Sequence, residues 1–264
     1  MLKQRPKQRA DLLILARGLA DSQGHAQALV MAGQVYSGTS RVSKPGDLLA
    51  DDSPLEIRGQ SHPFVSRGGL KLDHAIKHFD LPAQGRIALD IGSSTGGFTD
   101  VLLTQGAARV HAVDVGHGQL AWKLRQDPRV IVHERTNARH LTRQEIPDPI
   151  GIVVCDASFI GLRTILPAGL ALCAPEAWAV ALIKPQFEAT RSEVGRHGVV
   201  RDPAVHQKII GTIKEWWRGL PGWSVLGVTE SPVQGPEGNK EFLIAAQYQA
   251  GSLSSSRSTA SPMV

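Results

Sequence analysis

The stretch Asp90-Ile-Gly92-Ser-Ser94-Thr-Gly96-Gly97-Phe98 concentrates much of this chain's capacity for chemistry. An apolar run from Arg86 to Ile91 leads into a glycine turn, and a helical pattern follows, the order that opens a nucleotide-binding α/β domain. The glycine spacing is not G-x-G-x-x-G, and a carboxylate, Asp90, stands at the strand end. A carboxylate there repels a pyrophosphate. It suits a cofactor that carries positive charge and no phosphate, which describes S-adenosylmethionine. Asp114 closes the next apolar run, Val110-His-Ala-Val-Asp114, where such folds set an acid against ribose hydroxyls. The expected cofactor contacts are therefore Asp90, Gly92, Ser94, Gly96, Gly97, Phe98 and Asp114.

Other charged residues adjoin apolar runs further on. Asp156 follows Gly151-Ile-Val-Val-Cys155, Lys184 follows Trp178 to Ile183, and Glu241 precedes Phe242 to Ala246 behind the glycine-rich Gly235 to Asn239. Ligands of open α/β sheets bind beyond the carboxyl ends of the strands, so Asp156 and Lys184 share an edge with the glycine loop. Lys71 opens a helical pattern but lies off its apolar stripe of Leu72, Ala75, Ile76 and Phe79.

The elements that must position these residues alternate. Strands are expected at Arg86–Ile91, Arg109–Val115, Val130–His133, Gly151–Asp156, Trp178–Ile183, Ser224–Val228 and Phe242–Gln247. Helices are expected at Leu70–Phe79, Gly97–Gln105, Leu120–Leu124, Leu162–Cys173 and Pro203–Leu220, with Pro203 suited to a first helical turn. Such alternation predicts an α/β fold with a doubly wound, mostly parallel sheet.

Before it lies a different pattern. Leu12, Leu15 and Leu19 recur at helical spacing, a second helix spans about Gln23 to Ala32, and short β segments follow between Gly38, Pro45-Gly46 and Pro54. The expected organisation is a small α+β domain over 1–60 with a basic N-terminal arm, a linker over 61–65, the α/β domain over 66–248 and a disordered Ser-rich tail over 249–264. Of the chain's 264 residues 42% are hydrophobic and 20% charged, enough apolar surface for a full core, and the formal net charge of +5 favours a polyanionic partner. Residues 1 to 60 hold eight Lys/Arg against six Asp/Glu, so this small domain should bind nucleic acid weakly alone. Two cysteines, Cys155 and Cys173, have no metal or redox spacing, and no metal site is expected. The basic N-terminus precedes no long apolar stretch, so neither a signal peptide nor a membrane span is expected, and the location is expected to be cytoplasmic.

The phrases Leu12-Leu-Ile-Leu-Ala-Arg17-Gly-Leu-Ala-Asp-Ser22 and Ala26-Gln-Ala-Leu-Val-Met-Ala-Gly33-Gln-Val35, with Lys44-Pro-Gly-Asp47 after them, resemble an S4-type RNA-binding domain. The start of its second helix departs from that pattern, reading Gln23-Gly-His25 where basic residues are usual. Lys71, Asp156, Lys184 and Glu241, in that order, resemble the Lys-Asp-Lys-Glu tetrad of RNA ribose 2′-O-methyltransferases. Phe64-Val-Ser-Arg-Gly-Gly-Leu-Lys71, Cys155-Asp-Ala-Ser-Phe-Ile160, Leu182-Ile-Lys-Pro-Gln-Phe187 and Gly238-Asn-Lys-Glu-Phe242 match one branch closely. From about Arg9 to Tyr248 the chain resembles the TlyA family, with an S4-like domain before an FtsJ-like methyltransferase domain.

The resemblance implies a Rossmann-like sheet of seven strands with the last antiparallel, which brings Glu241 to the ligand edge. It implies methyl transfer from S-adenosylmethionine to a cytidine 2′-hydroxyl of ribosomal RNA within ribosomal subunits. A ribose hydroxyl needs its proton removed or shared before it attacks. Lys184 is the expected base, with Lys71 as a neighbour that depresses its proton affinity or holds the ribose oxygen. Asp156 would orient Lys184, and Glu241 would orient Lys71 or the ribose. Arg9, Arg17, Arg67, Arg191 and Arg196 are the expected RNA contacts, and Phe187 to Gly198 reads as a mobile loop closing over RNA. Two other functions stay open. Asp156-Ala-Ser-Phe159 echoes the Asp-Pro-Pro-aromatic motif of base N-methyltransferases without its prolines, and a non-catalytic ribosome-binding factor could retain the fold. A haemolytic role, which some members' names carry, finds no apolar span or strongly amphipathic cationic helix here.

Overall fold

The computed structural model describes residues 6–20, 22–58, 62–235 and 238–249. Linker residues 59–61, most of the expected tail and the tip of the loop before Glu241 lie outside them. Contacts divide the chain into two compact units, Met1–Pro63 and Phe64–Val264. The second begins earlier than the sequence pattern indicates because Phe64 is already core. It is buried, and a Cβ on Gly69 would come within 2.6 Å of its side chain. Val65 is tied down as well, its N–H donating to Asp100 Oδ2 at 2.7 Å.

In the first unit, β1 (Lys7–Arg9) leads into α1 (Ala10–Ala16) and α2 (Gln23–Met31), which Ser22 caps by accepting from the His25 N–H at 3.1 Å. Four short strands follow: β2 (Val35–Ser37), β3 (Ser40–Arg41), β4 (Leu48–Ala50) and β5 (Leu55–Ile57). β1 pairs with β4, and β2 lies between β3 and β5. Ala10, Ile14, Ala26, Val30, Val35 and Val42 form much of its small core. The sequence reads a basic N-terminal arm here, and Lys7 to Arg9 of it form a strand. The physical reason is Asp11, a fully buried carboxylate that must be compensated. Its oxygens accept from Arg9 Nε at 3.0 Å and Nη2 at 2.8 Å, from Gln23 Nε2 at 3.1 Å and from Gln27 Nε2 at 2.9 Å. These donors hold Asp11 far below the usual carboxylate range, the Arg9 guanidinium foremost.

The second unit runs α3 (Gly68–Phe79), β6 (Ile87–Ile91), α4 (Gly97–Thr104), β7 (Arg109–Val113), α5 (Trp122–Arg125), β8 (Val130–His133) and β9 (Ile150–Cys155). It continues with α6 (Leu162–Leu170), β10 (Cys173–Ile183), α7 (Pro185–Glu188), α8 (Pro203–Arg218), β11 (Trp223–Glu230) and β12 (Phe242–Tyr248). The sheet order is β11-β12-β10-β9-β6-β7-β8, and β12 runs antiparallel to both neighbours. The seven strands lie where the apolar runs indicate, and the seven-stranded sheet with its last strand antiparallel is present.

Two boundaries differ. Cys173 belongs to β10 rather than to α6, because it pairs with Ile150 before a register shift that ends at Trp178. Pro185 to Glu188 form a short helix that the apolar pattern does not reveal. Successive residues of the central strands feed two cores, one on each face: Leu89, Ile91, Val153 and Cys155 on one, Ala88, Ile152 and Val154 on the other. A strand covered on both faces reads as a continuous apolar run, and a charge inside it has no route to water. Trp217 and Trp223 pack in the first core, and the Cys155 thiol, pushed up to about 12 by burial, is inert.

Asp11 generates a stability prediction. Its proton affinity is depressed on folding, so its contribution is complete above the ordinary carboxylate value and is lost as pH falls below it. Asp11→Ala should weaken the first unit by about 2 kcal/mol, through loss of a shared charged acceptor. Hydrogen exchange of the α1 and α2 amides at neutral pH should show correspondingly faster opening, with the β6 to β12 sheet unchanged.

Candidate active site

The loop after β6 reverses sharply, with Gly92 at φ 79°, Ser94 at φ 47° and Gly96 at φ 95°. Gly92 must be glycine twice over, since a Cβ there would also lie 2.9 Å from Ala157 Cα, at the end of β9. At Gly97, which starts α4, a Cβ would meet Ser66 Oγ at 2.4 Å and the Gly69 nitrogen at 2.9 Å. Omitting the side chain lets the first turns of α3 and α4 touch, and this draws Lys71 in toward the sheet edge.

Asp114, just beyond β7, ties the loop together. Its Oδ2 accepts from the Ser94 N–H at 2.8 Å, and its Oδ1 from the Gly116 N–H at 2.7 Å. Asp90 behaves differently from a surface ligand. It is fully buried in β6, its Oδ2 accepts from Thr99 Oγ1 at 2.6 Å, and its Oδ1 has no hydrogen-bond partner. Burial pushes it up to about 7, with the Thr99 hydroxyl opposing and the Asp156 charge adding.

A cavity of about 540 Å³ opens at this edge, within the size range of small-molecule sites. Gly92, Ser94, Gly97 and Phe98 line one side, and Lys71, Asp156, Lys184 and Glu241 also reach its walls. Asp90, Gly96 and Asp114 do not line it. For Asp90 the reason is its position inside a strand covered on both faces. For Gly96 it is the packing of Leu120 and Leu124, since a Cβ there would strike Leu124 Cδ1 at 2.2 Å.

The four charged side chains come together as an alternating row. Lys71 Nζ donates to Glu241 Oε2 at 2.7 Å and lies 3.9 Å from Asp156 Oδ2. Lys184 Nζ sits 2.7 Å from Asp156 Oδ1 and donates to the Asp156 carbonyl at 3.1 Å and to Ser158 Oγ at 2.8 Å. Lys71, Lys184 and Glu241 are buried, so each ammonium is tolerable because a carboxylate touches it. Residues 170 apart in sequence meet here, because antiparallel β12 begins where parallel β9 and β10 end.

The five arginines separate into two groups. Arg67 lines the cavity just before α3, and Arg67, Arg191 and Arg196 have no side-chain partner among the described residues. Arg9 is held by Asp11, and Arg17 donates to the carbonyls of Asp51 and Ser53, so both spend donors on their own unit. Lys7, Arg41 and Lys44 are cations of that unit without an ion pair or side-chain hydrogen bond among the described residues.

The segment read as a mobile loop, Phe187 to Gly198, is hydrogen-bonded to another part of the domain at its carboxyl end. Asn239 Oδ1 accepts from the Val200 N–H at 3.1 Å, and its Nδ2 donates to the Gly198 carbonyl at 3.1 Å. Ser158, Phe159, Gln186, His197 and Asn239 line the cavity and were missed in the sequence reading. Phe159 offered a signal in its Asp-Ala-Ser-Phe context. It is 90% exposed at φ 66°, with its ring centroid 5.1 Å from that of Phe187. The others carry no periodicity that marks them.

Residues 64–248 match the FtsJ-like methyltransferase family, so the α/β unit is an FtsJ-like methyltransferase domain. The chain is 44% identical over 242 residues to the 16S/23S rRNA (cytidine-2′-O)-methyltransferase TlyA of Mycobacterium tuberculosis, across 91% of this chain and 90% of that one. It is 46% identical over 239 residues to YqxC of Bacillus subtilis, provisionally named an rRNA methyltransferase, across 90% and 85%. A solved structure from Streptococcus thermophilus, provisionally named a hemolysin, superposes with a TM-score of 0.73 at 41% identity over 94% of this chain and 90% of that one. The chain belongs to the TlyA family. Among the described residues no helix is long and apolar enough to cross a membrane.

The Asp90 geometry makes a pH prediction. Between the ordinary carboxylate value and about 7 the folded protein holds a proton there that the unfolded chain releases. Stability from this group therefore falls as pH rises through that window and levels off above it. Asp90→Asn carries no such loss. In thermal unfolding of the ligand-free protein, the variant's midpoint relative to wild type should rise between about pH 5 and about pH 8.

Proposed function

We propose that this chain transfers a methyl group from S-adenosylmethionine to the 2′-hydroxyl of a cytidine in ribosomal RNA. The observation that carries the reading is the alternating row Glu241–Lys71–Asp156–Lys184 at the wall of the cavity beside the glycine loop. Two amines fixed by two carboxylates suit a sugar hydroxyl, whose proton must be drawn off as its oxygen attacks. The names of the TlyA relatives supply the RNA and the nucleotide.

S-adenosylmethionine, when bound, supplies an electrophilic methyl group on a sulfonium. The residues present fit such a group: the loop at Gly92, Ser94 and Gly97 forms a wall with no bulky side chain, and Asp156 and Glu241 bring carboxylates to the same cavity, while Asp90 lies behind that wall. Asp114, Gly96 and Phe98 hold that loop in shape around it. Lys184 is the base. Its Nζ accepts the 2′-hydroxyl proton when neutral, and Asp156 with Ser158 fixes its position. Lys71, anchored by Glu241, faces the same space and holds the ribose oxygen. Rigid placement of this kind can lower a barrier by about 7–11 kcal/mol in favourable cases.

The first unit acts as an S4-like RNA-binding domain that anchors the enzyme, with Arg9 and Arg17 helped by Lys7, Arg41 and Lys44. Arg67, Arg191 and Arg196 add phosphate contacts around the cavity. A protein acting on ribosomal subunits works in the cytoplasm.

With methyl-labelled S-adenosylmethionine and isolated ribosomal subunits, the label should enter one alkali-resistant linkage at a cytidine. Lys184→Ala should lower the rate by about 10²–10⁴-fold while leaving S-adenosylhomocysteine affinity within a few-fold. Label on a base would support base methylation instead, and no label on either subunit would support a binding factor. Glu241→Gln should cost less than Lys184→Ala, because the amide still accepts from Lys71; initial rates compare the two.

A further inference from the structure

The cavity shares His197 with a second, shallower recess of about 450 Å³, which Arg196, Val199 and Arg201 also line. Arg196, His197 and Arg201 are exposed and have no side-chain partner among the described residues. Both carboxylates at the recess accept hydrogen bonds, and among the described residues only Glu193 is paired with a cation. Glu193 accepts from Lys208 Nζ at 2.7 Å and from Thr190 Oγ1 at 2.8 Å, and Asp202 caps α8 by accepting from the Ala204 N–H at 2.8 Å. What remains is a concave surface with two uncommitted guanidinium groups and an imidazole.

The recess is also preorganised. His197 stands at φ 61° and Gly198 at φ 72°, a reversal that a non-glycine residue keeps only under constraint. The constraint comes from both sides. Gly195 N–H donates to the Val199 carbonyl at 3.0 Å, His206 Nε2 lies 2.9 Å from the Val200 carbonyl, and Asn239 spans Gly198 and Val200. Asn239 lies two residues before Glu241, so the turn is fastened to the same strand entry as the catalytic row.

We infer that this recess is a phosphate subsite, in which Arg196, His197 and Arg201 hold the phosphodiester joined to the ribose that receives the methyl group. This rests on the reading of the main cavity as the ribose site. A ribose 2′-hydroxyl is never far from an anion, since the neighbouring 3′-oxygen carries a phosphate. A recess that presents two unpaired guanidinium groups and shares a wall with the cavity meets that anion when the sugar enters. Arginine forks suit it, because guanidinium pairs bidentately with phosphate oxygens. Asn239 is a positioning residue that acts through the turn.

The test uses the full chain with the ribosomal subunit that wild-type enzyme labels, comparing wild type, Arg201→Ala, Arg196→Ala/Arg201→Ala and Arg201→Lys. KM for the subunit should rise about tenfold or more in the double variant, with the smaller share of the loss in kcat. The slope of log affinity against log salt for RNA should become shallower by about 1 for each phosphate contact removed. Arg201→Lys should recover the slope, and S-adenosylhomocysteine affinity should stay at the wild-type value. Wild-type KM and salt slope in the double variant would overturn the subsite, as would a loss confined to S-adenosylhomocysteine affinity. If wild type labels no ribose, the ribose reading fails instead. The salt slope of RNA binding, which needs no turnover, separates the two failures.

Discussion

Lys71 and Lys184 lie almost out of water, and a buried ammonium is costly unless a carboxylate meets it at contact distance. Asp156 and Glu241 meet that demand in an order that alternates sign, so no like charges touch directly within the row. Much of the second unit's architecture serves this compensation. α3 must lie against α4 closely enough to bring Lys71 in, which the missing side chain of Gly97 allows. β9 and β10 must end side by side, and β12 must run against them for Glu241 to arrive at its beginning.

The two units solve the same electrostatic problem with different consequences. Asp11 collects a guanidinium and two amides, all its oxygens accept, and the result is a rigid junction of β1, α1 and α2. At Asp90 the compensation is incomplete: one hydroxyl reaches one oxygen, the other oxygen is left over, and the carboxyl resists ionisation. A saturated buried carboxylate stabilises its surroundings. An unsaturated one costs stability once it ionises.

The segment from Lys184 to Val200 shows how local rules and tertiary contacts divide the work. Its glycines and arginines read as a mobile loop, and its arginines are exposed. The shape of its carboxyl end, however, is held by Asn239, just before β12, and by His206 in α8. Hydrogen bonds between segments 39 residues apart leave no periodicity to read.

The sequence by itself determined the element order, the parallel sheet, the glycine loop and the placement of Asp156 and Lys184 at one edge. Those features follow from local periodicity and chain-bound geometry, which apolar runs such as Val110 to Val113 display directly. Only the tertiary structure decided which of the charged side chains touch, that Asp90 is sealed inside its strand, and that Arg9 and Arg17 serve their own unit first. It also decided that His197 and Asn239 reach the cavity. Side-chain pairing depends on distances between segments remote in sequence, and burial depends on what covers a strand from both faces, so neither leaves a mark in local composition.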